Sequence, residues 1–353
     1  MNTKIVRVDP AYPQESLLRE AAQALRNGAL VVVPTDTVYG IAADINNKES
    51  IRKLYEIKGR PESKPFALLI RGIEQMEELI KDVPMAAYKL ADKFWPGPLT
   101  MVLRADAKNA IGLRLPDNKI VLKLLELSGV NAACPSANLS GKPAPVSFQE
   151  AMKDLEGQVD LAIDAGETKI KTESTVVDLT GGQARILREG ALKAGDIEPV
   201  LAQKTVLFIC TGNSCRSVMA QGYLKKKLKE KGRTDVEVLS AGILGMNNMG
   251  ATSQTREVLR REGINVDDHA STRVTARMVK RSDIILVMEK MHEERILELV
   301  PQARARVFLL KEFARIEDDG STSIEDPIGN SPEFYERTFY TIKQAVDRVA
   351  EII

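Results

Sequence analysis

Residues 205–217, Thr-Val-Leu-Phe-Ile-Cys-Thr-Gly-Asn-Ser-Cys-Arg-Ser, decide the fold of the second half of this chain. An apolar run ends at Cys210, a polar loop follows, and Ser217 is placed to open a helix. A strand, a loop and a helix in this order direct backbone N–H groups and the positive end of the helix dipole at one point, which favours an anion. The same field would favour nucleophilic attack by the Cys210 sulfur, and the Arg216 guanidinium would hold two phosphate oxygens. The stretch predicts a phosphate-binding loop with a nucleophilic cysteine.

The residues between the thiol and the helix are the expected phosphate ligands. Gly212 and Asn213 are residue types that tolerate positive φ in such a loop. A structural cysteine at a strand end or a chance match is the alternative, and the strand-loop-helix context favours the functional interpretation. Three cysteines and two histidines in the whole chain argue against a protein-bound metal. The expected phosphate-loop residues are Thr211, Gly212, Asn213, Ser214, Cys215 and Ser217.

Residues 204–353 resemble the low-molecular-weight protein tyrosine phosphatase family. Besides the loop, Ser240-Ala241-Gly242 is similar to the segment after that family's second strand, and residues 282–288 are similar to its fourth-strand region. The resemblance implies a three-layer α/β domain with a parallel four-stranded sheet. It also implies that Cys210, Arg216 and Asp326 of Glu325-Asp326-Pro327 are catalytic, with Asp326 as general acid and then general base. No cofactor is expected for this domain.

Ile209 and Ser214 indicate which class of cysteine phosphatase the second half resembles. Larger tyrosine-specific and dual-specificity enzymes usually carry His where Ile209 stands, and arsenate reductases need cysteines downstream of Cys215 that are absent here. Cys215 could form a reversible disulfide with Cys210, or simply fill the loop. Ser214 resembles the small hydroxyl residue of bacterial arginine phosphatases, and residues 328–330 lack the aromatic side chains of tyrosine-directed members. A protein phosphate monoester or phosphoarginine is the expected substrate.

At 353 residues the chain is long for one core, and we expect domains at 1–200 and 204–353, joined within 195–204. The formal net charge is +1, and residues 1–200 hold 26 Lys and Arg against 27 Asp and Glu, while residues 201–353 hold 24 against 22. Neither half therefore has a bulk electrostatic footprint for nucleic acid. No apolar run is long enough for a membrane span, the first residues lack a signal-peptide core, and a reactive thiol suits a reducing compartment. A cytoplasmic location without membrane partners is therefore expected.

The first half alternates strand-like and helix-like patterns without a strict βαβ order. This mixture predicts an α/β sandwich with a mixed sheet. Helices are expected at 16–27, 50–57, 85–94, 119–128 and 148–156. Strands are expected at 29–33, 66–70, 99–103, 161–163, 175–179 and 184–187.

Polar clusters stand at the ends of these predicted strands, although neither a Walker loop nor a dinucleotide fingerprint is present. Residues 34–40 read Pro-Thr-Asp-Thr-Val-Tyr-Gly, and residues 135–138 read Pro-Ser-Ala-Asn. Lys58, Arg60 and Lys64 place three cations beside a strand, which suits a polyphosphate, although an exposed basic turn would have the same composition.

These clusters resemble the threonylcarbamoyl-AMP synthase family over residues 10–197. That family joins L-threonine, bicarbonate and ATP into threonylcarbamoyl-adenylate and pyrophosphate, for threonylcarbamoyladenosine in tRNA. The resemblance implies Mg²⁺ with ATP and no metal held by the protein alone. By resemblance, the ATP-binding residues are Lys58, Arg60, Ser136, Asn138, Ser174 and Arg188. By resemblance, the threonine-binding residues are Thr35, Tyr39, Lys64 and Arg114.

One departure concerns threonine, because many relatives carry His near Lys64 or Ala67 and this half has no histidine. Two functions of different class remain open at this point. The first is a bifunctional enzyme that makes the adenylate and hydrolyses a phosphorylated protein, with tRNA or the downstream threonylcarbamoyl-transferase as a further partner. The second is a phosphatase that is regulated or targeted by a non-catalytic nucleotide- or RNA-binding module.

Overall fold

A computed structural model divides the chain into two units, Met1–Leu201 and Ala202–Ile353. The structure describes residues 2–244, 248–316 and 320–353. The point of division lies in an unpredicted helix that contains Pro199. In the described residues no helix is both long and apolar enough to cross a membrane.

Ten strands of the first unit form one mixed sheet. They are β1 Lys4–Arg7, β2 Val31–Val33, β3 Gly40–Asp44, β4 Leu68–Leu69, β5 Leu99–Arg104, β6 Ala110–Arg114, β7 Ala132–Ala133, β8 Leu161–Asp164, β9 Thr175–Asp178 and β10 Arg185–Arg188. The helices are α1 Glu15–Arg26, α2 Lys48–Lys58, α3 Ile73–Leu79, α4 Met85–Phe94, α5 Lys119–Ser128, α6 Phe148–Leu155 and α7 Ala194–Ala202. The sheet order is β1-β8-β2-β3-β7-β4-β6-β5-β9-β10.

The predicted mixed sandwich is confirmed, because the central strands β2 and β3 of the sheet are buried on both faces. Val31 and Val33 pack into one hydrophobic cluster and Val32 into the other. Successive side chains of a strand point to opposite faces, so an all-apolar strand such as β2 needs cover on both sides. β2 pairs antiparallel with β3 and parallel with β8, which gives the sheet its mixed character.

The second unit contains a four-stranded, all-parallel sheet in the order β12-β11-β13-β14. Its strands are β11 Lys204–Cys210, β12 Val236–Gly242, β13 Ile284–Val287 and β14 Val307–Leu309. Its helices are α8 Arg216–Glu230, α9 Ser253–Arg261, α10 Ala276–Arg281, α11 Lys290–Leu299, α12 Leu310–Phe313 and α13 Pro332–Ile352, with a 3₁₀ helix at Pro301–Arg306. The three-layer arrangement is confirmed, since Phe208 and Ile209 of β11 enter hydrophobic clusters on opposite faces.

Two details of this unit differ from the sequence expectations. Residues 282–288 contain its third strand in chain order, not its fourth. Ser240-Ala241-Gly242 is the end of β12, not the segment after it. The register explains the second difference, because Cys210 of β11 lies opposite Gly242, so β12 must extend as far as the phosphate loop.

Candidate active sites

The first unit has a cavity of about 540 Å³ at the ends of β2, β6 and β7. Nine of the ten residues expected to bind ATP or threonine line it. They are Thr35, Tyr39, Lys58, Arg60, Arg114, Ser136, Asn138, Ser174 and Arg188. Lys64, the tenth, is exposed and lies outside the lining, whereas Ala67 lies within it. The threonine contact of Lys64 stays a prediction.

Lys58, the last residue of α2, is buried and holds the loop after β7. Gly59 follows it with a left-handed φ of 56°, which ends the helix. Lys58 Nζ donates to Ser136 O at 2.7 Å, to Asn138 O at 2.5 Å and to Asn138 Oδ1 at 2.8 Å. Burial, and next the charge of Arg60, lower the pKa of Lys58 to about 8. All three ammonium protons therefore stabilise the Ser136–Asn138 loop in this structure.

Arg60 is held by an aromatic pair rather than by a carboxylate. Its guanidinium carbon lies 5.2 Å from the centre of the Phe66 ring, and Phe66 stacks on Tyr55 at 4.4 Å. Its Nη2 makes one long hydrogen bond, of 3.4 Å, to Pro65 O. Its Nε is buried and has no hydrogen-bond partner among the described residues. Arg60 thus presents a positive charge to the cavity that no carboxylate neutralises in this part of the structure.

The side chains of Ser136 and Asn138 are hydrogen-bonded to each other. Ser136 Oγ donates to Asn138 Oδ1 at 2.6 Å, and Asn138 Nδ2 donates to Lys142 O. The loop also forms an isolated β-bridge between Gly40 and Ser136. These bonds fix the loop as a rigid part of the cavity wall.

Ser174 and Arg188 form another part of the wall. Arg188 Nη2 donates to Ser174 O at 2.8 Å, and its Nη1 pairs with Glu173 at 2.7 Å. Ser174 Oγ lies 2.9 Å from Thr100 Oγ1. Glu173 also lines the cavity, so this side carries a carboxylate beside its guanidinium.

Arg114 has a buried ion-pair partner, Asp36, that the sequence analysis did not assign to the site. Arg114 Nη2 donates to Asp36 Oδ1, Nη1 donates to Thr37 Oγ1 at 2.7 Å, and Nε donates to Gly97 O at 3.2 Å. The Asp36 side chain is 0% exposed, and its Oδ2 has no hydrogen-bond partner among the described residues. Asp36 belongs to the quoted 34–40 stretch, but its partner lies 78 residues away, so no local pattern could pair them.

Thr35 and Tyr39 line the cavity with hydroxyl groups that are already bonded. Thr35 Oγ1 donates to Val38 O at 2.6 Å and accepts from the N–H of Thr37 and Val38. Tyr39 OH donates to Gly166 O at 2.9 Å, and burial raises the pKa of Tyr39 to about 12. The Thr35 hydroxyl therefore shapes the turn after β2, whereas the Tyr39 hydroxyl bonds to the segment after β8. Their contact with threonine stays a prediction.

The phosphate loop of the second unit runs from Cys210, at the end of β11, to Arg216, the first residue of α8. Ser217 is accordingly the second helical residue rather than the one that opens the helix. Asn213 has a φ of 54°, as expected, but Gly212 lacks the expected positive φ. Asn213 Oδ1 accepts from Thr272 N at 2.9 Å, and its Nδ2 donates to Ser240 Oγ at 2.8 Å. These bonds hold the left-handed residue in place.

Cys210 is 2% exposed, with Sγ 3.0 Å from Ser217 Oγ. Ser217 Oγ accepts from Asn213 Nδ2 at 3.0 Å, so its own proton is available to the sulfur. Cys210 and Cys215 are both free thiols. Cys215 Sγ lies 3.7 Å from Tyr335 OH and 3.5 Å from Thr252 Oγ1. The reversible disulfide with Cys210 and the packing role of Cys215 both stay predictions.

Arg216 is 1% exposed and is enclosed by acceptors. Its Nη1 pairs with Glu289 and donates to Ile324 O at 2.8 Å. Its Nη2 pairs with Asp326. The structure therefore brings the expected general acid onto the expected phosphate-binding guanidinium, although 110 residues separate them.

Glu289 and His292 are residues of this site that the sequence analysis missed. Glu289 caps α11, and its backbone N–H donates to His292 Nδ1 at 3.1 Å. His292 Nε2 lies 3.0 Å from Thr211 Oγ1. Burial, and next the charge of Arg216, lower the pKa of His292 to about 4. Their spacing is that of an ordinary helix cap, so only the fold shows that they face the loop.

In the described ranges, no group of three or more His, Cys, Asp or Glu side chains is arranged to hold a metal ion.

Comparison with known proteins gives a family for each unit. A family model named Sua5_yciO_yrdC and described as telomere recombination matches residues 23–190. A second model, low molecular weight phosphotyrosine protein phosphatase, matches residues 205–353.

Curated proteins similar to the first unit include threonylcarbamoyl-AMP synthases. The Pyrococcus abyssi enzyme is 39% identical, over 59% of this chain and 64% of its own length. This chain thus spans less than two thirds of that relative. The putative threonylcarbamoyl-AMP synthase of Mycobacterium tuberculosis strain CDC 1551 is 37% identical, over 55% of this chain and 92% of its own length.

A solved structure agrees with these matches. The crystal structure of P. abyssi Sua5 complexed with L-threonine is 28% identical, with a TM-score of 0.54, over 87% of this chain and 99% of that chain. The chain therefore belongs to the threonylcarbamoyl-AMP synthase family through its first unit, and its second unit is a low molecular weight phosphotyrosine phosphatase domain.

Proposed function

We propose that the chain is a bifunctional enzyme that forms threonylcarbamoyl-adenylate in its first unit and hydrolyses a phosphorylated substrate in its second. The observation that supports the first activity is the cavity in which Lys58, Arg60, Ser136, Asn138, Ser174 and Arg188 meet. Members of the family to which this unit belongs carry the name of this reaction.

In the first reaction the threonine amine combines with bicarbonate, water leaves, and a carbamate forms. A carbamate oxygen then attacks the α-phosphorus of ATP, and pyrophosphate departs with the electrons of the broken P–O bond. Such a transfer depends on positioning and on stabilisation of charge rather than on a protein nucleophile. Arg60 and Arg188 supply cations to the lining, and the Lys58 ammonium supports the Ser136–Asn138 loop.

Mg²⁺ would enter with ATP. Magnesium in nucleotide sites is held by substrate phosphates, waters and one or two carboxylates, and Glu173 is a carboxylate of the lining that fits this requirement. Bound in this way, the ion would neutralise charge on the phosphates. The adenylate would then be consumed by a transferase that modifies tRNA.

Replacing Lys58 or Arg60 by Ala tests the first activity. We expect either variant to abolish pyrophosphate release that requires ATP, threonine and bicarbonate together, while phosphatase activity persists because the units have separate cores. Lys53→Ala, on α2 outside the cavity lining, is the matched control. Preserved release in both variants would contradict the phosphate-binding role. Nucleotide binding without release in the wild type would favour the non-catalytic module instead.

In the second reaction, Cys210 Sγ attacks phosphorus, and the leaving oxygen or nitrogen takes a proton from Asp326. The resulting Asp326 carboxylate then accepts a proton from the water that cleaves the S–P bond, which regenerates the thiolate and releases phosphate. The supporting observation is that Arg216 lies between the loop and Asp326. A bound phosphate would replace the Asp326 carboxylate on Arg216, and the displaced carboxylate would take up a proton from solvent, which it then gives to the leaving group.

Two variants separate binding from turnover in the phosphatase. Cys210→Ser should remove turnover but keep binding of inorganic phosphate, because Arg216 and the loop N–H groups are unchanged. Asp326→Asn should slow turnover without weakening binding, since it loses a proton donor and not a phosphate ligand. Full activity of Cys210→Ser would exclude a phosphocysteine intermediate.

Phosphoarginine is the substrate that we propose over phosphotyrosine. Ser214 is half-buried in the loop, and the residues after Asp326-Pro327 are the exposed Ile328, Gly329 and Asn330. Without an aromatic wall a phenyl ring would lose roughly 0.5–1.5 kcal/mol of stacking, whereas a guanidinium can bond to a hydroxyl.

The comparison of kcat/KM for the two substrates, in wild type and in Ser214→Ile, tests this preference. We expect the wild type to favour phosphoarginine and the variant to shift toward phosphotyrosine. Ser214 would not be the selector if the substitution left the ratio unchanged.

A further inference from the structure

The side-chain hydroxyl of Thr211 accepts a hydrogen bond from Arg216. Arg216 Nη2 lies 3.1 Å from Thr211 Oγ1. A guanidinium has only donors, so this contact occupies one lone pair of the hydroxyl oxygen.

His292 occupies the other lone pair, because its tautomer is determined by the backbone. The N–H of Glu289 donates to Nδ1, so Nδ1 carries no proton. With its pKa lowered to about 4, the ring is neutral at about pH 7, and its single proton lies on Nε2. Nε2 therefore donates to Thr211 Oγ1 across 3.0 Å. His292 is 0% exposed, which holds the ring in this orientation.

A threonine hydroxyl has two lone pairs and one proton. Since both lone pairs of Thr211 accept, its proton must be donated elsewhere, and the described residues provide no protein acceptor for it. We propose that Thr211 donates this proton to a phosphoryl oxygen of the bound substrate, and that His292 is a positioning residue that aims it. This inference rests on the phosphatase function proposed above.

The position of Arg216 supports a phosphoryl oxygen as the acceptor. Nη2 contacts both Thr211 Oγ1 and the Asp326 carboxylate. An oxyanion that takes the place of Asp326 on Nη2 lies beside the Thr211 hydroxyl. A hydrogen bond to a charged group of this kind corresponds to roughly 10- to 100-fold in affinity.

The test measures the dissociation constant for inorganic phosphate, together with kcat and KM for a phosphate monoester, on the full chain. Thr211→Val removes the hydroxyl at nearly constant shape, and Thr211→Ser keeps it. His292→Leu removes the Nε2 donor, and His292→Gln can still donate from its amide. The matched control is Thr341→Val, because the Thr341 hydroxyl bonds only to Arg337 O within α13 among the contacts described.

We expect Thr211→Val and His292→Leu each to weaken phosphate binding by about tenfold or more, with Thr211→Ser, His292→Gln and Thr341→Val close to wild type. The double variant Thr211→Val/His292→Leu should bind no more weakly than Thr211→Val alone, because both changes remove one interaction. Additive losses, wild-type binding by Thr211→Val, or equal losses in Thr211→Ser and Thr211→Val would overturn the proposal. If Thr211→Val fails to fold, the phosphate affinities of His292→Leu and His292→Gln test the proposal instead. Equal affinities in these two variants would overturn it.

Failure of the phosphatase function itself has a different signature. In that case the wild type would neither bind phosphate nor turn over, or Cys210→Ser would remain active.

Discussion

Lys58 has an environment that its position in the sequence does not suggest. Read in the chain, it is one of three cations near a turn. In the structure it is buried, and its ammonium makes three hydrogen bonds to the Ser136–Asn138 loop. A lysine with a pKa of about 8 is only partly charged in mildly basic solution. Its ionisation is therefore sensitive to a nearby polyphosphate.

ATP binding is predicted to take up a proton at about pH 9 through Lys58. A folded-state pKa below the ordinary value means that the free protein loses this charge as pH rises through about 8, and bound phosphates raise the pKa again. The Lys58 contribution to ATP affinity is thus complete below about pH 8 and declines above it. Calorimetry in two buffers of different ionisation enthalpy measures the uptake. Lys58→Ala should abolish it and Lys53→Ala should not, and uptake that persists in Lys58→Ala would assign the proton to another group.

Single residues also show which contacts can be predicted from the sequence and which cannot. Cys210, Arg216 and the loop between them are contiguous, so their joint chemistry is visible in the sequence. The two sites also contain residues whose partners are distant in sequence. Asp36 pairs with a residue 78 positions away, Glu289 with one 73 positions away, and His292 contacts one 81 positions away. Such pairings depend on the arrangement of strands, which no local spacing encodes.

At the scale of elements, the end of β12 lies against the backbone of the phosphate loop. Gly242 pairs with Cys210 in the sheet, and a Cβ at this position would come within 2.7 Å of Thr211 O and 2.9 Å of Asn213 N. Both atoms are backbone, so neither can move without changing the loop.

Gly242→Ala is predicted to destabilise the second unit by about 1–3 kcal/mol and to lower phosphate affinity, because the loop must shift to admit a methyl group. Gly250→Ala is the control, since its Cβ would meet only His269 O at 3.9 Å. Chemical denaturation and phosphate titration measure the two effects. Normal phosphate binding by a folded Gly242→Ala protein would show that the loop tolerates the displacement.

Elements with strong periodic patterns were predicted well. The helices at 85–94 and 119–128 have the expected bounds, and α5 begins at an Asn118 cap and ends at Gly129 with a φ of 69°. The strands β1, β3, β6 and β7 and the helices α3 and α7 were missed. β1 is mostly exposed, β7 has two residues, and β3 is buried along nearly its whole length, so none shows clear alternation.

At the scale of the whole molecule, the hydrophobic residues form separate clusters in the two units. Leu124 of α5 and Leu224 of α8 are both 0% exposed, in clusters that belong to different units. Each unit thus has the buried core that an independently folding domain requires.

Leu124→Ala is predicted to destabilise the first unit by about 2–5 kcal/mol and to leave the phosphatase unit unchanged, with the reverse result for Leu224→Ala. Truncation of a buried side chain leaves a cavity, and this cavity destabilises only the hydrophobic core that contains it. Hydrogen exchange resolved along the chain, with both activities followed during denaturation, separates the units. Equal destabilisation of both units by either change would mean that they unfold as one.

The sequence by itself determined the two families, the α/β class of each half and the phosphate loop, because these depend on contiguous motifs and on local periodicity. Only the tertiary structure decided that Lys58 supports the Ser136–Asn138 loop, that Asp36 neutralises Arg114, that Lys64 lies outside the cavity, and that His292 faces Thr211. The physical reason is that burial and ion pairing act through space. The sheet order brings together residues that the chain keeps dozens of positions apart, and hydrogen-bond geometry then determines which of them share a proton.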